Sequence, residues 1–395
     1  MSNPWPDVAT ARSYLNRLTS GAPQSQEALP INVEALAAWL IDQGLGPLAF
    51  ARAQDSFPAL AAHLESDAYS VFAENSMHFH RLQQIGASFR QAAVPLVLLK
   101  GAALAGFAYG SLGRRRMTDL DIWVKGEQIP AAVALMKELG FQARQKDQRP
   151  LALQELSRGE IQFYGPYEGL VELHWSPFPG WWLKRVAAVD DAAIWSRIEP
   201  LPLPQAMALS PEASADGAPA DTATSASPFY HLAAEDAVIH VAVHTAVNHQ
   251  FGKVAIRGLM DIALTARARP VDWHLVAHRA REWRLGVTVW LVLDLARQLL
   301  GLEDVEAALP ELQPSRLRRR LLHRFVSPEK LLAGIDHRTS PARFLLLLFL
   351  VDRPRDMLRL LYRTLWPESE WIQARYLGRR GRLGHIWSIL RHGQV

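Results

Sequence analysis

The sequence predicts an α+β protein in which a small mixed sheet with its helices is embedded in a largely helical chain. Two short apolar runs, Val94–Leu99 and Asp119–Val124, read as buried strands separated by a helix, and three more strand-like runs follow them at Phe141–Ala143, Ile161–Tyr164 and Leu170–His174. On both sides the apolar residues recur at helical spacing instead, from Pro30 to Phe89 and from Ala234 onward. Strand, helix, strand, helix and then strands is the order of a compact α/β or α+β unit.

Taken in order, the stretch from Pro30 to Phe89 is a helical cap in which Asn32 is placed to start a helix. Val94–Leu99 is the first strand, and Gly101 is expected to turn it into a helix over Ala103–Tyr109. After the strand Asp119–Val124, Ile129–Leu139 reads as a helix closed by Gly140. The stretch Leu201–Pro228 is rich in Ala, Pro, Ser and Asp with little periodicity, which predicts a mobile insertion or linker. Beyond it, Ala234–Gly252, Ile256–Ala268, Trp273–Trp283 and Val287–Leu300 are helical by period, Asp272 supplying an N-cap carboxylate, and the rest is helical and arginine-rich. The expected domains are a helical region over 1–93, an α+β core over 94–200, a flexible insertion or linker over 201–228 and a helical domain over 229–395.

Composition sets the outer limits. A chain of 395 residues, 49% hydrophobic and 21% charged, is long enough for two or three packed domains, which excludes wholesale disorder. Having no cysteine, it excludes disulfides, thiolate metal sites and cysteine nucleophiles. Its net charge of +4 is a mild pointer to a polyanionic partner. The first residues lack the basic and apolar regions of a secretory signal, and the longest apolar run, Phe344–Val351, falls short of the roughly 20 residues a spanning helix needs. A cytoplasmic protein without a membrane span is therefore expected.

The chemistry is concentrated between Pro95 and Val124. On a strand alternate side chains share a face, so Asp119 and Asp121 point one way while Leu120 and Ile122 point into the core. Two carboxylates held side by side repel unless a hard cation such as Mg²⁺ takes oxygens from both. In the run GLVELHW, Val171 and Leu173 face one side and Glu172 and His174 the other, which makes Glu172 the best third carboxylate if its strand is a neighbour. His240 and His244 share a helix face at a spacing that imitates zinc ligands, but without the glutamate of a metalloprotease they read better as core or cleft-lining residues. The C-terminal run from Arg375 to Arg391 interleaves arginine with Tyr376 and Trp387, a pattern compatible with RNA, an anionic membrane surface, or a terminal helix packed on the body.

The set Lys100-Gly101, Tyr109, Arg116-x-x-Asp119-Leu120-Asp121 and Val171-Glu172-Leu173-His174-Trp175 resembles the uncharacterised bacterial nucleotidyltransferases of the DNA polymerase β-like superfamily. His240-x-x-x-His244, the run Arg257 to Ile262, and Asp272-Trp273 are similar to that family's helical half. The resemblance covers about residues 80–300 and implies a polymerase-β-like core. It implies Mg²⁺ or Mn²⁺ held by Asp119, Asp121 and Glu172, and nucleotide contacts from Lys100, Gly101, Ala102 and Arg116, with Lys100 and Arg116 serving as phosphate or scaffold contacts. The implied reaction is transfer of a nucleoside monophosphate from an NTP to a hydroxyl acceptor, a small molecule, tRNA or a protein, with release of pyrophosphate. Ala102 stands where the wider superfamily usually has Ser or Gly, the gap to Asp119 is long, and Glu172 stands where Asp is commoner. Ala102 keeps open a nucleotide-binding regulatory module with weak or no turnover, and the basic C-terminus keeps open an RNA-directed, toxin-like transferase.

Overall fold

The computed structural model describes residues 3–22, 31–143, 159–165, 169–201, 229–334 and 341–392. The loop expected around Gln145–Pro150 and nearly all of the expected linker, from residue 202 on, lie outside the described residues. Four helices come first: α1 (Val8–Ser20), α2 (Val33–Asp42), α3 (Gly46–Ala53) and the long α4 (Pro58–Gln91). Then follow β1 (Leu96–Leu98), α5 (Lys100–Phe107), β2 (Leu120–Trp123), α6 (Ile129–Glu138), β3 (Gln142–Ala143), β4 (Glu160–Tyr164) and β5 (Leu170–His174). Two short helices, α7 (Trp181–Val186) and α8 (Asp191–Trp195), lead to β6 (Glu199–Pro200) and β7 (Phe229–His231). The helical half holds α9 (Ala234–Val243), α10 (Ala255–Ala268), α11 (Trp273–Glu282), α12 (Gly286–Leu300), α13 (Leu309–Leu312), α14 (Arg316–Phe325), α15 (Pro328–Ala333), α16 (Pro341–Phe349), α17 (Pro354–Leu365), α18 (Ser369–Tyr376) and α19 (Arg382–His392).

Local chemistry explains many of these boundaries. Asn32 caps α2 by accepting from the Ala35 amide at 2.9 Å, and Asp272 caps α11 by accepting from Leu275 at 3.0 Å, as the sequence predicts. In the arginine-rich third, prolines open α15, α16 and α17, because a residue without an N–H is tolerated in a first helical turn and nowhere later. Among the described residues no helix is long and apolar enough to cross a membrane; the apolar run at Phe344–Val351 is split between the end of α16 and the turn after it, with Leu346, Leu350 and Val351 buried.

The seven strands form one mixed sheet in the order β3-β4-β5-β2-β1-β7-β6. β2 is central, antiparallel to β1 and parallel to β5, with Leu98 opposite Ile122 and Asp121 opposite Glu172. β7, three residues immediately before the helical half, runs parallel to β1 and ties that half to the sheet. The two faces of the sheet are sorted by alternation. Leu98, Leu120 and Ile122 join Phe79, Leu82, Phe89 and Met136 in a core beneath α4 and α6. Val97 and Trp123, on the opposite face, belong to the larger core built by the N-terminal and C-terminal helices together. Asp121 shares that second face, so its carboxylate is directed into the seam between the sheet and the helical half.

Candidate active site

The turn between β1 and α5 is made by Lys100, not by Gly101 as the sequence suggested. Lys100 has φ of +46°, a left-handed conformation rare for a residue with a side chain, and α5 starts there rather than at Ala103. This geometry carries the Lys100 ammonium across to β2, where it donates to Asp121 Oδ1 at 2.5 Å and lies 4.0 Å from Glu172 Oε2.

Asp121 and Glu172 sit side by side because β2 and β5 are neighbours in parallel register. Both are buried, at 2% and 5% exposure, a cost that neither carboxylate bears without partners. His174, two residues along β5 and on the same face, places Nε2 2.9 Å from Asp121 Oδ1 and 3.9 Å from Glu172 Oε2. From β4, the Gln162 amide donates to Glu172 Oε1. Asp121, Glu172 and His174 each offer a ligand atom within 4.8 Å of the others, so they form a group able to hold a metal ion. Asp119 stands just before β2, half-buried at the rim and outside this tight group.

The electrostatics follow from the crowding. Burial alone would raise Asp121, but the Lys100 ammonium and the His174 imidazole outweigh it and hold that carboxyl well below the ordinary range. Burial would lower Lys100, yet Asp121, Glu172 and Asp119 together raise it. Asp119 is pushed up to about 6, first by burial and then by the negative charge of Asp121, while Lys100 opposes the rise. The site thus gathers three carboxyls around one ammonium, an arrangement suited to a further cation. Oxygen donors of this kind fit Mg²⁺ or Mn²⁺, and the imidazole is better tolerated by Mn²⁺.

The other nucleotide contacts expected from the sequence are placed as follows. Ala102 is buried with the apolar residues of the core under α4. Gly101 is also buried, and a Cβ there would lie 2.5 Å from Arg115 Nη1 and 2.9 Å from Met117 Cγ, so glycine is required for the guanidinium to pass over the helix start. Arg116 is drawn away to α4, where it pairs with Asp67 and, at 3.2 Å, with Glu74. It is therefore a scaffold contact in this structure.

Arg115 and Asn75 carry no sequence signal for the roles they take near the site, whereas Tyr109, Arg257, Asp261, His240 and His244 belong to the motifs named above. Arg115, not Arg116, turns inward and grips Asp261 of α10 with two bonds of 2.8 and 2.7 Å, while the Tyr109 hydroxyl donates to the same carboxylate at 2.7 Å. Burial would lower the Arg115 guanidinium and the Asp261 charge raises it instead. Asn75 of α4 fixes the preceding loop, donating to the carbonyls of Leu112 and Arg115 and accepting from the Met117 amide at 3.2 Å. Arg257 of α10 lies beside this clasp with its Nη1 3.5 Å from the Arg116 carbonyl, and among the described residues no carboxylate pairs with it. Its pKa is lowered by burial first and by Arg115 second. His240 and His244 also face the site: burial, reinforced by Lys100, pushes His240 down to about 3 and His244 well below its usual value. His244 opens a π-helical turn, His244–Asn248, that sets its ring 4.4 Å from that of His249.

A family model described as an uncharacterised nucleotidyltransferase matches residues 30–301, a span that includes every residue of this site. No curated protein and no solved structure matches the chain.

Proposed function

Because the chain belongs to this family of uncharacterised nucleotidyltransferases, we propose that it transfers a nucleoside monophosphate from an NTP to a hydroxyl acceptor, releasing pyrophosphate. The observation that carries the reading is the side-by-side placement of Asp121 and Glu172 on adjacent parallel strands, with Asp119 at the rim, in a seam closed by the helical half. Asp119, Asp121 and Glu172 would hold Mg²⁺ or Mn²⁺, which supplies charge stabilisation for an attacking oxygen and a leaving phosphate.

The chain's own residues do the positioning. His174 holds the Asp121 carboxylate in one orientation and Gln162 does the same for Glu172, so the oxygens need not reorganise during reaction. In the proposed transfer the acceptor hydroxyl loses its proton to water, its oxygen bonds to the α-phosphorus, and the bond from that phosphorus to the pyrophosphate oxygen breaks, pyrophosphate leaving. Arg257, with no carboxylate partner among the described residues, is a cation of the helical half available to phosphate oxygens, and Lys100 becomes available once another cation takes its place at Asp121. The neutral imidazoles of His240 and His244 line the opposite wall without adding charge.

One observation favours a second reading, a nucleotide-binding module of low turnover: the Lys100 ammonium already satisfies Asp121. The two readings separate when each of the four radiolabelled NTPs is supplied with Mg²⁺ and a cell-extract acceptor pool to the wild type, Asp121→Asn and Glu172→Gln. Label in an acceptor with the wild type alone supports the transferase and identifies base and acceptor class. Binding without transfer supports the module. Undiminished transfer by either variant refutes the assigned site.

A further inference from the structure

We propose that the C-terminal end of the protein, formed by α17 and α19, docks on an anionic lipid surface. On α17 the side chains Leu358, Tyr362 and Leu365 are 68%, 56% and 50% exposed, and their spacing of four and three residues puts them on one helix face. The opposite face, with Leu360 and Thr364, is buried on the body. The apolar stripe is therefore not the packed side of the helix. α19 repeats the arrangement: Leu383 and Trp387, four residues apart, are 76% and 62% exposed, while His385 is buried between them.

His385 joins the two helices, one ring nitrogen lying 3.0 Å from the Thr364 carbonyl at the end of α17 and the other 2.8 Å from the Tyr376 hydroxyl. The two apolar stripes are in this way held at one end of the molecule. That end is strongly basic, with eight arginines between Arg353 and Arg382 against Asp356, Glu368 and Glu370. Two of those acids are already engaged, Asp356 with Arg284 at 3.8 Å and Glu368 with Arg185 and Arg363 at 3.2 and 3.3 Å. Among the described residues Arg359, Arg379 and Arg380 pair with no carboxylate, and all three are exposed.

Charge and shape select the occupant. Exposed leucines give nothing to a nucleic acid, whose single strands stack on aromatic side chains, whereas Leu and Trp near arginines without a carboxylate partner among the described residues suit the boundary between acyl chains and phosphate headgroups. A second copy facing this end across a twofold axis would bring arginine against arginine. A lipid surface carrying negative charge satisfies both components at once. The inference does not depend on the nucleotidyl-transfer reading, since no residue of the carboxylate site takes part.

The test is vesicle flotation of the full chain with phosphatidylcholine alone and with phosphatidylcholine mixed with phosphatidylglycerol, at low and high salt. Binding is expected to the mixed vesicles only and to weaken with salt. The variant Leu358→Ser/Leu365→Ser/Trp387→Ser is expected to bind on the order of tenfold more weakly. Arg359→Gln/Arg379→Gln/Arg380→Gln is expected to lose most of the salt sensitivity. All six side chains point outward, so unchanged circular dichroism and melting of both variants serve as the folding control. Equal binding to the two vesicle types, no binding to either, or full binding by the leucine and tryptophan variant overturns the proposal. So does a wild-type dimer in light scattering that the same variant makes monomeric, or tight RNA binding that it leaves intact while vesicles are ignored.

Discussion

Replacing Lys100 with Met keeps the length of the side chain but removes the ammonium that lies 2.5 Å from Asp121 Oδ1 and 4.0 Å from Glu172 Oε2. Taking one partner out of a buried ion pair costs about 3–5 kcal/mol, because the remaining charge stays buried without compensation. His174 still reaches the same Asp121 oxygen at 2.9 Å, which places the expected loss near the lower end, about 3 kcal/mol. A divalent ion that binds only the folded state stabilises it by about 2.7 kcal/mol at a hundredfold excess over its dissociation constant. If that ion uses the carboxylates the ammonium occupies, it should restore Lys100→Met almost to the wild-type level and raise the wild type much less. Urea unfolding of both proteins with chelator and with Mg²⁺ or Mn²⁺ measures all four stabilities. Equal stability of the two proteins in chelator would show that the buried pair is not a net contributor. Equal stabilisation of both by metal would place the ion elsewhere, and either result would refute the reasoning.

Removing Asp261 by Asp261→Ala should cost about 3–5 kcal/mol in urea unfolding, since Arg115 is left buried and Tyr109 loses its acceptor; a loss below about 1 kcal/mol would remove the clasp as a link between sheet and helical half. Asp191, at the start of α8, is pushed up to about 6 by burial, and its Oδ1 is buried without a hydrogen-bond partner. The folded state then holds that proton more tightly than the unfolded chain, whose aspartates titrate near 4, so this group's contribution is most favourable below about pH 4 and declines as pH rises through about 6. Asp191→Asn should raise stability at pH 7 by about 2 kcal/mol and flatten that slope, and a variant no more stable than the wild type at pH 7 would contradict the assignment.

What the sequence made legible was periodicity of short range. The alternation in GLVELHW puts Glu172 and His174 on one face; His174 bonds Asp121 at 2.9 Å, and Glu172 offers an oxygen within 4.8 Å of it. His174 lies in the same alternation, but alternation alone does not say which acid its imidazole meets. The register that brings Asp121 opposite Glu172 depends on which strands pair across about fifty residues, and alternation within a strand carries no such information. Spacing to Asp119 favours Arg116 as the site arginine, yet Arg115 is the one that turns inward. The loop conformation fixed by Asn75 decides which of them turns toward Asp261, and that residue lies forty positions upstream. β7 carries no signal of its own for a related reason: three residues, Phe229–His231, form a strand only because β1 presents a free edge.

The placement of the cluster also explains why so much structure is invested around it. Carboxylates interact most strongly with phosphate-bound cations when water is excluded, yet water exclusion is what makes ionised carboxylates destabilising. At the seam between sheet and helical half both demands are met, because the walls come from separate parts of the chain and the charge is compensated internally. Lys100 can supply that compensation only from a left-handed backbone, and the guanidinium of Arg115 can reach Asp261 only over a glycine. The left-handed lysine, the glycine beside it and the buried clasp thus act together: the lysine compensates the carboxylates at the seam, the glycine and the clasp tie the sheet to the helical half, and in the proposed reaction a stronger cation would take the ammonium's place at Asp121.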